Sequence, residues 1–239
     1  MNSSHIESLI LCIDTSSPTG SLALGTFGRI LAELTVDVTT THSESLLSHI
    51  DFLFKAARKN LSEIDAVAVT SGPGSFTGIR IGLATAKGIC YAQKKPLFTF
   101  SSLQLLAQNL PFESSVCPIL NAQKNEIYAA IYQYGRESVA PMAVSPDKLT
   151  EFIKEPCVFV GSGFTPYHHI LRHLGIAAPP HLNAPRAAAM LTLIAQTQSD
   201  SDNFSFPPFS AENLAAAHPL YLRKSEAEVQ WEKRKNKMK

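Results

Sequence analysis

The chain has 239 residues, 45% of them hydrophobic, enough to bury a sizeable core as one large or two small domains. Its formal net charge of +1 gives no overall pull toward nucleic acid. Four scattered cysteines (Cys12, Cys90, Cys117, Cys157), without Cys-x-x-Cys spacing, read as buried free thiols of a reducing compartment. The amino terminus lacks a basic region and its apolar run is only five residues long, which predicts no signal peptide, no membrane span and a cytoplasmic protein.

Residues 9–13 read as a buried strand that ends in Asp14-Thr15-Ser16-Ser17-Pro18-Thr19-Gly20. Strands follow at 21–24 and 30–38, then an amphipathic helix at 42–59 whose Leu46, Leu47, Ile50, Leu53 and Phe54 form a wide apolar stripe. A strand at 65–70, a helix at 76–92, a strand at 97–100 and a helix at 102–110 complete a first set. The order then begins again. Strands at 116–120, 126–134 and 138–144 precede a helix at 146–154, a strand at 157–160, the turn Gly161-Ser162-Gly163 and a helix at 165–174. A β-β-β-α-β-α order occurring twice predicts an α/β chain of two related lobes facing across a cleft, the second one reduced. The corresponding domains are 1–110 and 111–239. A helix at 185–198, a polar loop with Phe and Pro anchors at 199–210, the compact segment 219–223 and a basic tail holding Lys233, Arg234, Lys235, Lys237 and Lys239 follow.

The segment between strand 65–70 and helix 76–92 carries the strongest local signal. Gly72, Pro73 and Gly74 make a turn that continues neither strand nor helix, and Ser75 suits an N-cap. Backbone N–H groups and the positive helix end then meet at the mouth of a sheet, a place for an anion. Asp14, Gly72, Gly74, Ser75, Thr77 and Arg80 are the candidate nucleotide- or anion-binding residues. No Asp or Glu occurs from Ala66 to Phe112, where the chain average predicts about four, leaving Arg80 locally unopposed. Walker A and Rossmann patterns both fail: Gly78 is followed by Ile79-Arg80, and Gly72-x-Gly74-x-x-x-Gly78 is one residue too long. A tight turn without any ligand is the equal alternative. Gly78, Gly82 and Ala86 recur every fourth residue, so either the chain's own sheet or the helix of another subunit approaches that stripe closely.

Ile13-Asp14-Thr15-Ser16, His42-Ser43-Glu44-x-Leu46-Leu47, the run Gly72 to Arg80, Glu126-Ile127-Tyr128, Gly161-Ser162-Gly163 and Pro219-Leu220-Tyr221-Leu222-Arg223 occur together in order. In these segments the chain resembles the TsaB (YeaZ) family of bacterial tRNA threonylcarbamoyladenosine biosynthesis proteins. The resemblance implies the two-lobed actin/Hsp70/sugar-kinase-like (ASKHA) fold and a non-catalytic subunit. Such a subunit pairs with its metal-bearing paralogue TsaD, and with the ATPase TsaE, in threonylcarbamoyl transfer to the tRNA adenosine beside the anticodon. It implies a pairing surface on the two first-lobe helices, carried here by His42, Leu46, Leu47, Ile50, Phe54, Gly78, Gly82, Thr85 and Ala86. Either a homodimer or a heterodimer fits one such surface, and tRNA is met through the complex. No cofactor is implied for this chain itself, with ATP or ADP left to the shared interface. The chain departs from the family where the second lobe often starts Asp-Ala-Arg and here reads Asn121-Ala122-Gln123. It departs again where Leu-Leu-Pro is common and Ser48-His49 stands.

The alternatives are a glycoprotease-like metal-dependent peptidase and a stand-alone nucleotide-binding protein. His42 and His49 stand about 10 Å apart along a helix, too far for one ion. His169 and His173 have i, i+4 spacing but no intervening Glu and no third ligand, so surface histidines are the default reading and no metal site is assigned. A Gly-x-Ser-x-Gly elbow is missing.

Overall fold

The computed structural model describes residues 8–27, 29–37, 42–111, 114–198 and 206–223, the side chains of 42–44 excepted. Strand β1 (Ile10–Asp14) is buried at every position, so it can only lie inside a sheet covered on both faces. It does: with β2 (Thr19–Thr26), β3 (Arg29–Asp37), β4 (Ala66–Gly72) and β5 (Leu97–Ser101) it forms a sheet of order β3-β2-β1-β4-β5. Pairing is antiparallel across β1, β2 and β3 and parallel across β1, β4 and β5.

The second sheet repeats this plan. Strands β6 (Ser115–Gln123), β7 (Glu126–Gln133), β8 (Arg136–Val144), β9 (Cys157–Val160) and β10 (Gly175–Ala177) run in the order β8-β7-β6-β9-β10. Again the first three are antiparallel and the last two join in parallel. The duplicated order is therefore a property of the fold, as the actin/Hsp70/sugar-kinase-like expectation requires.

Side-chain alternation assigns the two faces of the first sheet. Leu11, Ile13, Val67 and Val69 pack under α1 (His42–Ala57) and α2 (Phe76–Gln93). Ile10, Cys12, Ala66 and Ala68 pack under α6 (Ala189–Gln198) on the other face. Between the sheets lies α3 (Ser102–Ala107), whose Leu105 joins the first lobe's core while Leu103 and Leu106 join the second's. On its far face, among the described residues, the second sheet has the single-turn helices α4 (Pro146–Leu149) and α5 (His168–Leu171) and the 3₁₀ turn at 165–167.

Those helices are shorter than the expected 146–154 and 165–174. Pro156 biases its predecessor away from helix, and residues 165–167 form a tighter 3₁₀ turn before α5. The apolar spacing reported burial correctly, since Leu149, Ile153 and Leu171 all enter the core. Strand β10 and helix α7 (Ala211–Ala216) are additions that the apolar pattern did not announce.

Residues beyond 185, expected with the second lobe, divide in their packing. Ala187 N–H donates to Ser21 Oγ at 2.9 Å, and Arg186 forks onto Glu33 of β3. Leu214 of α7 enters the first lobe's core. Phe206 lies against Phe27 and Phe98, and Phe209 meets Tyr91 edge-on, so this loop is anchored by its aromatics. The basic tail and residues 199–205 lie outside the described residues.

Candidate functional site

Asp14 ends β1 fully buried, and a buried carboxylate must be met by donors. Its Oδ1 accepts from Ser16 Oγ at 2.7 Å, Ser16 N–H at 3.3 Å and Thr70 Oγ1 at 2.5 Å. Thr15 Oγ1 donates to the Gly78 carbonyl at 2.7 Å, and Ser75 N–H to the Ser16 carbonyl at 2.7 Å. Ser102 Oγ closes the group by donating to the Pro73 carbonyl. The β1–β2 turn, the glycine turn and the starts of α2 and α3 are thus knitted into one buried hydroxyl cage.

Glycine is required here by close approach to the chain itself. A Cβ on Gly74 would collide with the Ser16 carbonyl, and one on Gly78 with the Thr15 carbonyl. Gly72 has φ +115° and faces the Leu220 carbonyl. The anion candidates Asp14, Gly72, Gly74 and Ser75 do come together, but Asp14 Oδ1 and Ser75 are engaged by neighbouring protein groups. Ser75 caps α2 by accepting from Gly78 N–H at 3.2 Å, and its own carbonyl takes Ile79 N–H at 2.9 Å. Arg80 donates through Nε to Tyr221 Oη at 2.8 Å, with its guanidinium 3.7 Å from the centre of the Phe76 ring. Only Thr77 points outward unengaged by any of these contacts. A cavity of about 10 Å³ lies against Asp14, lined also by Thr15, Ser21, Leu46 and His49, room for about one water and far below a nucleotide.

The helix stripe expected to meet a partner faces inward. Gly78 and Gly82 press on Thr15, and Gly82 also reaches Val69. Ala86 is fully buried, as are Leu46, Ile50 and Phe54 to within a few per cent. These six residues are corrected from interface to first-lobe core: the close approach was that of the chain's own β1 and β4. Thr85 is half-buried and Leu47 is 65% exposed, while the His42 side chain lies outside the described residues.

A second stripe does face solvent. Ala84, Gly88 and Ala92 are exposed, again at every fourth residue, and a Cβ on Gly88 would meet nothing within 4 Å. Beside it Tyr91 is 60% exposed, and on α1 Leu47 and Phe52 are 65% and 58% exposed. Sequence inspection could have told the stripes apart. Ile79, Leu83 and Cys90 flank the inner one, whereas Arg80 and Tyr91 flank the outer.

Among the described residues no group of three His, Cys, Asp or Glu side chains could hold a metal ion. His169 and His173 are exposed, and α5 stops at Leu171 before their spacing closes a helical turn. All four cysteines are buried free thiols. Burial pushes the Cys90 thiol up to about 12 and raises Cys12 as well; Cys117 is raised by its hydrogen bond with Cys157 and by burial. No helix among the described residues is long and apolar enough to cross a membrane.

Comparison with known proteins gives the chain's relatives. The model of the family "TsaD: tRNA N6-adenosine threonylcarbamoyltransferase" matches residues 36–231. The chain is 27% identical over 234 residues to the tRNA threonylcarbamoyladenosine biosynthesis protein TsaB of Bacillus subtilis (strain 168), covering 93% of this chain and 97% of that protein. It is 26% identical to the TsaB of Escherichia coli (strain K12) over 238 residues, covering 94% and 97%. Among solved structures, YeaZ from Pseudomonas aeruginosa superposes with a TM-score of 0.75 at 25% identity, covering 90% of this chain and all of the other.

Proposed function

The chain belongs to the tRNA N6-adenosine threonylcarbamoyltransferase (TsaD) family, in its TsaB (YeaZ) group, and on that premise we propose that it is a non-catalytic subunit in tRNA threonylcarbamoyladenosine biosynthesis. Its partner is the TsaD paralogue that performs the transfer, with TsaE joining the pair and tRNA reached through the complex. Kinship supports pairing, because paralogues sharing a fold can meet through equivalent surfaces on a pseudo-twofold axis.

The observation that carries this reading is the outer side of α1 and α2. Two helices of about 24 and 27 Å expose Leu47, Phe52 and Tyr91 beside the bare Ala84–Gly88–Ala92 edge, where a partner helix can approach closely. The chain's own buried corner points away from chemistry of its own: Asp14 Oδ1 and the hydroxyls of Thr15, Ser16 and Thr70 are committed to holding the turn.

The test is threonylcarbamoyl transfer to tRNA by purified components. The chain alone is expected to give none, and TsaD with TsaE is expected to gain activity when the chain is added. Transfer by the isolated chain would overturn the proposal. A peptidase reading draws on one solved Pseudomonas aeruginosa relative described as similar to peptidase YEAZ. Ser75, serving as a helix cap, and the exposed histidines speak against it here.

A further inference from the structure

Residues 219–223, shortly after α7, are irregular with a bend at 222–223 and touch both the glycine turn and the second lobe. Leu220, Tyr221 and Arg223 each have an anchor. Leu220 N–H donates to the Ser71 carbonyl at 2.7 Å, and the Leu220 carbonyl comes so close to Gly72 that an added Cβ there would sit 3.1 Å from it. Tyr221 stacks on Phe76 with ring centroids 5.3 Å apart and accepts from Arg80 Nε. Two residues on, Arg223 leaves the first lobe altogether. Its Nη1 donates to Glu126 Oε2 at 3.0 Å and to the Ala122 carbonyl at 3.1 Å, both on the β6–β7 hairpin. The Arg223–Glu126 pair is partly buried, with side chains 29% and 39% exposed.

The lobes are also joined by α3 and by the chain's return at 178–187, where Asn109 donates to the Leu182 and Ala184 carbonyls. A connection on one side of a cleft leaves a hinge. A second connection, made by residues 219–223 between the glycine turn and the β6–β7 hairpin, restrains that rotation. We propose that residues 219–223 are an interlobe strap, with Arg223 as its clasp, that fixes how far the cleft between the glycine turn and the β6–β7 hairpin stands open. Arg80 accordingly serves the strap: with Phe76 and Tyr221 it holds the near end fast while Arg223 grips the far lobe. This inference does not depend on the pairing proposed above.

Spin labels on Ala56→Cys and Tyr134→Cys, both exposed and one on each lobe, report the interlobe distance by pulsed dipolar spectroscopy, the natural thiols being buried. The unaltered strap is expected to give one narrow distribution, and Arg223→Ala one at least about twofold broader, at unchanged secondary structure. Arg223→Glu is expected to be as broad, and adding Glu126→Arg to it to restore the narrow distribution. A narrow distribution in Arg223→Ala overturns the proposal, as does a reversed pair no narrower than Arg223→Glu alone. Should Arg223→Ala fail to fold, the comparison of the reversed pair with Arg223→Glu decides.

Discussion

The two lobes share one strand order but load it differently. The first carries helices of 16 and 18 residues on one face and α6 on the other; the second carries two single-turn helices on its far face. Their glycine turns nevertheless match. Gly72 ends β4 with φ +115° and Gly161 follows β9 with φ +112°; the first turn presses on residues just past β1, the second on Ile119 midway along β6. In the first lobe the contact is to Ser16 and Thr15; in the second, Gly163 N–H donates to the Ile119 carbonyl at 2.9 Å. Only the first lobe adds Asp14 and its hydroxyls to that contact, and only there do the helices extend far enough to offer an outer face. Topology is thus common to both halves, while the buried polar cage and the helices proposed to dock a partner belong to one.

The equivalence of the turns is open to direct attack. Gly78→Ala and Gly161→Ala both place a Cβ against backbone carbonyls, so each is expected to cost about 3 kcal/mol in denaturant unfolding. A neutral Gly161→Ala would mean that only the first turn is tightly packed. The difference between lobes is probed by Asp14→Ala, which strands the hydroxyls of Ser16 and Thr70 and is expected to cost about 2 kcal/mol by the same measurement.

Alkaline pH provides a gentler probe of the first lobe's seal. The folded Cys90 thiol is held at about 12 against an ordinary value of 9, and Cys12 is raised too. With the folded value above the unfolded one, the folded state keeps protons that the unfolded chain loses. Stability is therefore complete below pH 9 and falls as pH rises, by about 1 kcal/mol per thiol between pH 9 and 10. Urea midpoints at those two pH values test this, and Cys90→Ala should flatten the dependence. The smallest effect separates the two stripes of α2. Gly88→Ala meets only solvent and is expected to stabilise by about 0.7 kcal/mol through helix propensity, opposite in sign to Gly78→Ala in the same helix.

Much of this was legible from residue pattern. Both β-β-β-α-β-α sets, the N-cap at Ser75, the buried thiols and the polar turn around Asp14 follow from alternation, spacing and turn chemistry. What escaped was the direction of a face. Gly78, Gly82 and Ala86 announce that something lies close, but the same absence of side chains serves a strand tip as well as a visiting helix. The return of α6 and α7 to the first lobe was hidden for a related reason, since packing partners distant in sequence leave no local periodicity. The hydrogen bond from Arg80 escaped as well, because its acceptor, Tyr221, lies 141 residues away.

The outer face of α1 and α2 as the docking surface is tested most directly by titrating the chain with the TsaD paralogue of the same organism in a calorimeter, using Gly88→Leu as the probe. Binding by the unaltered chain is expected, and Gly88→Leu is expected to weaken it about 30-fold or more while the chain's melting temperature does not fall. Undiminished affinity in Gly88→Leu would contradict the assignment.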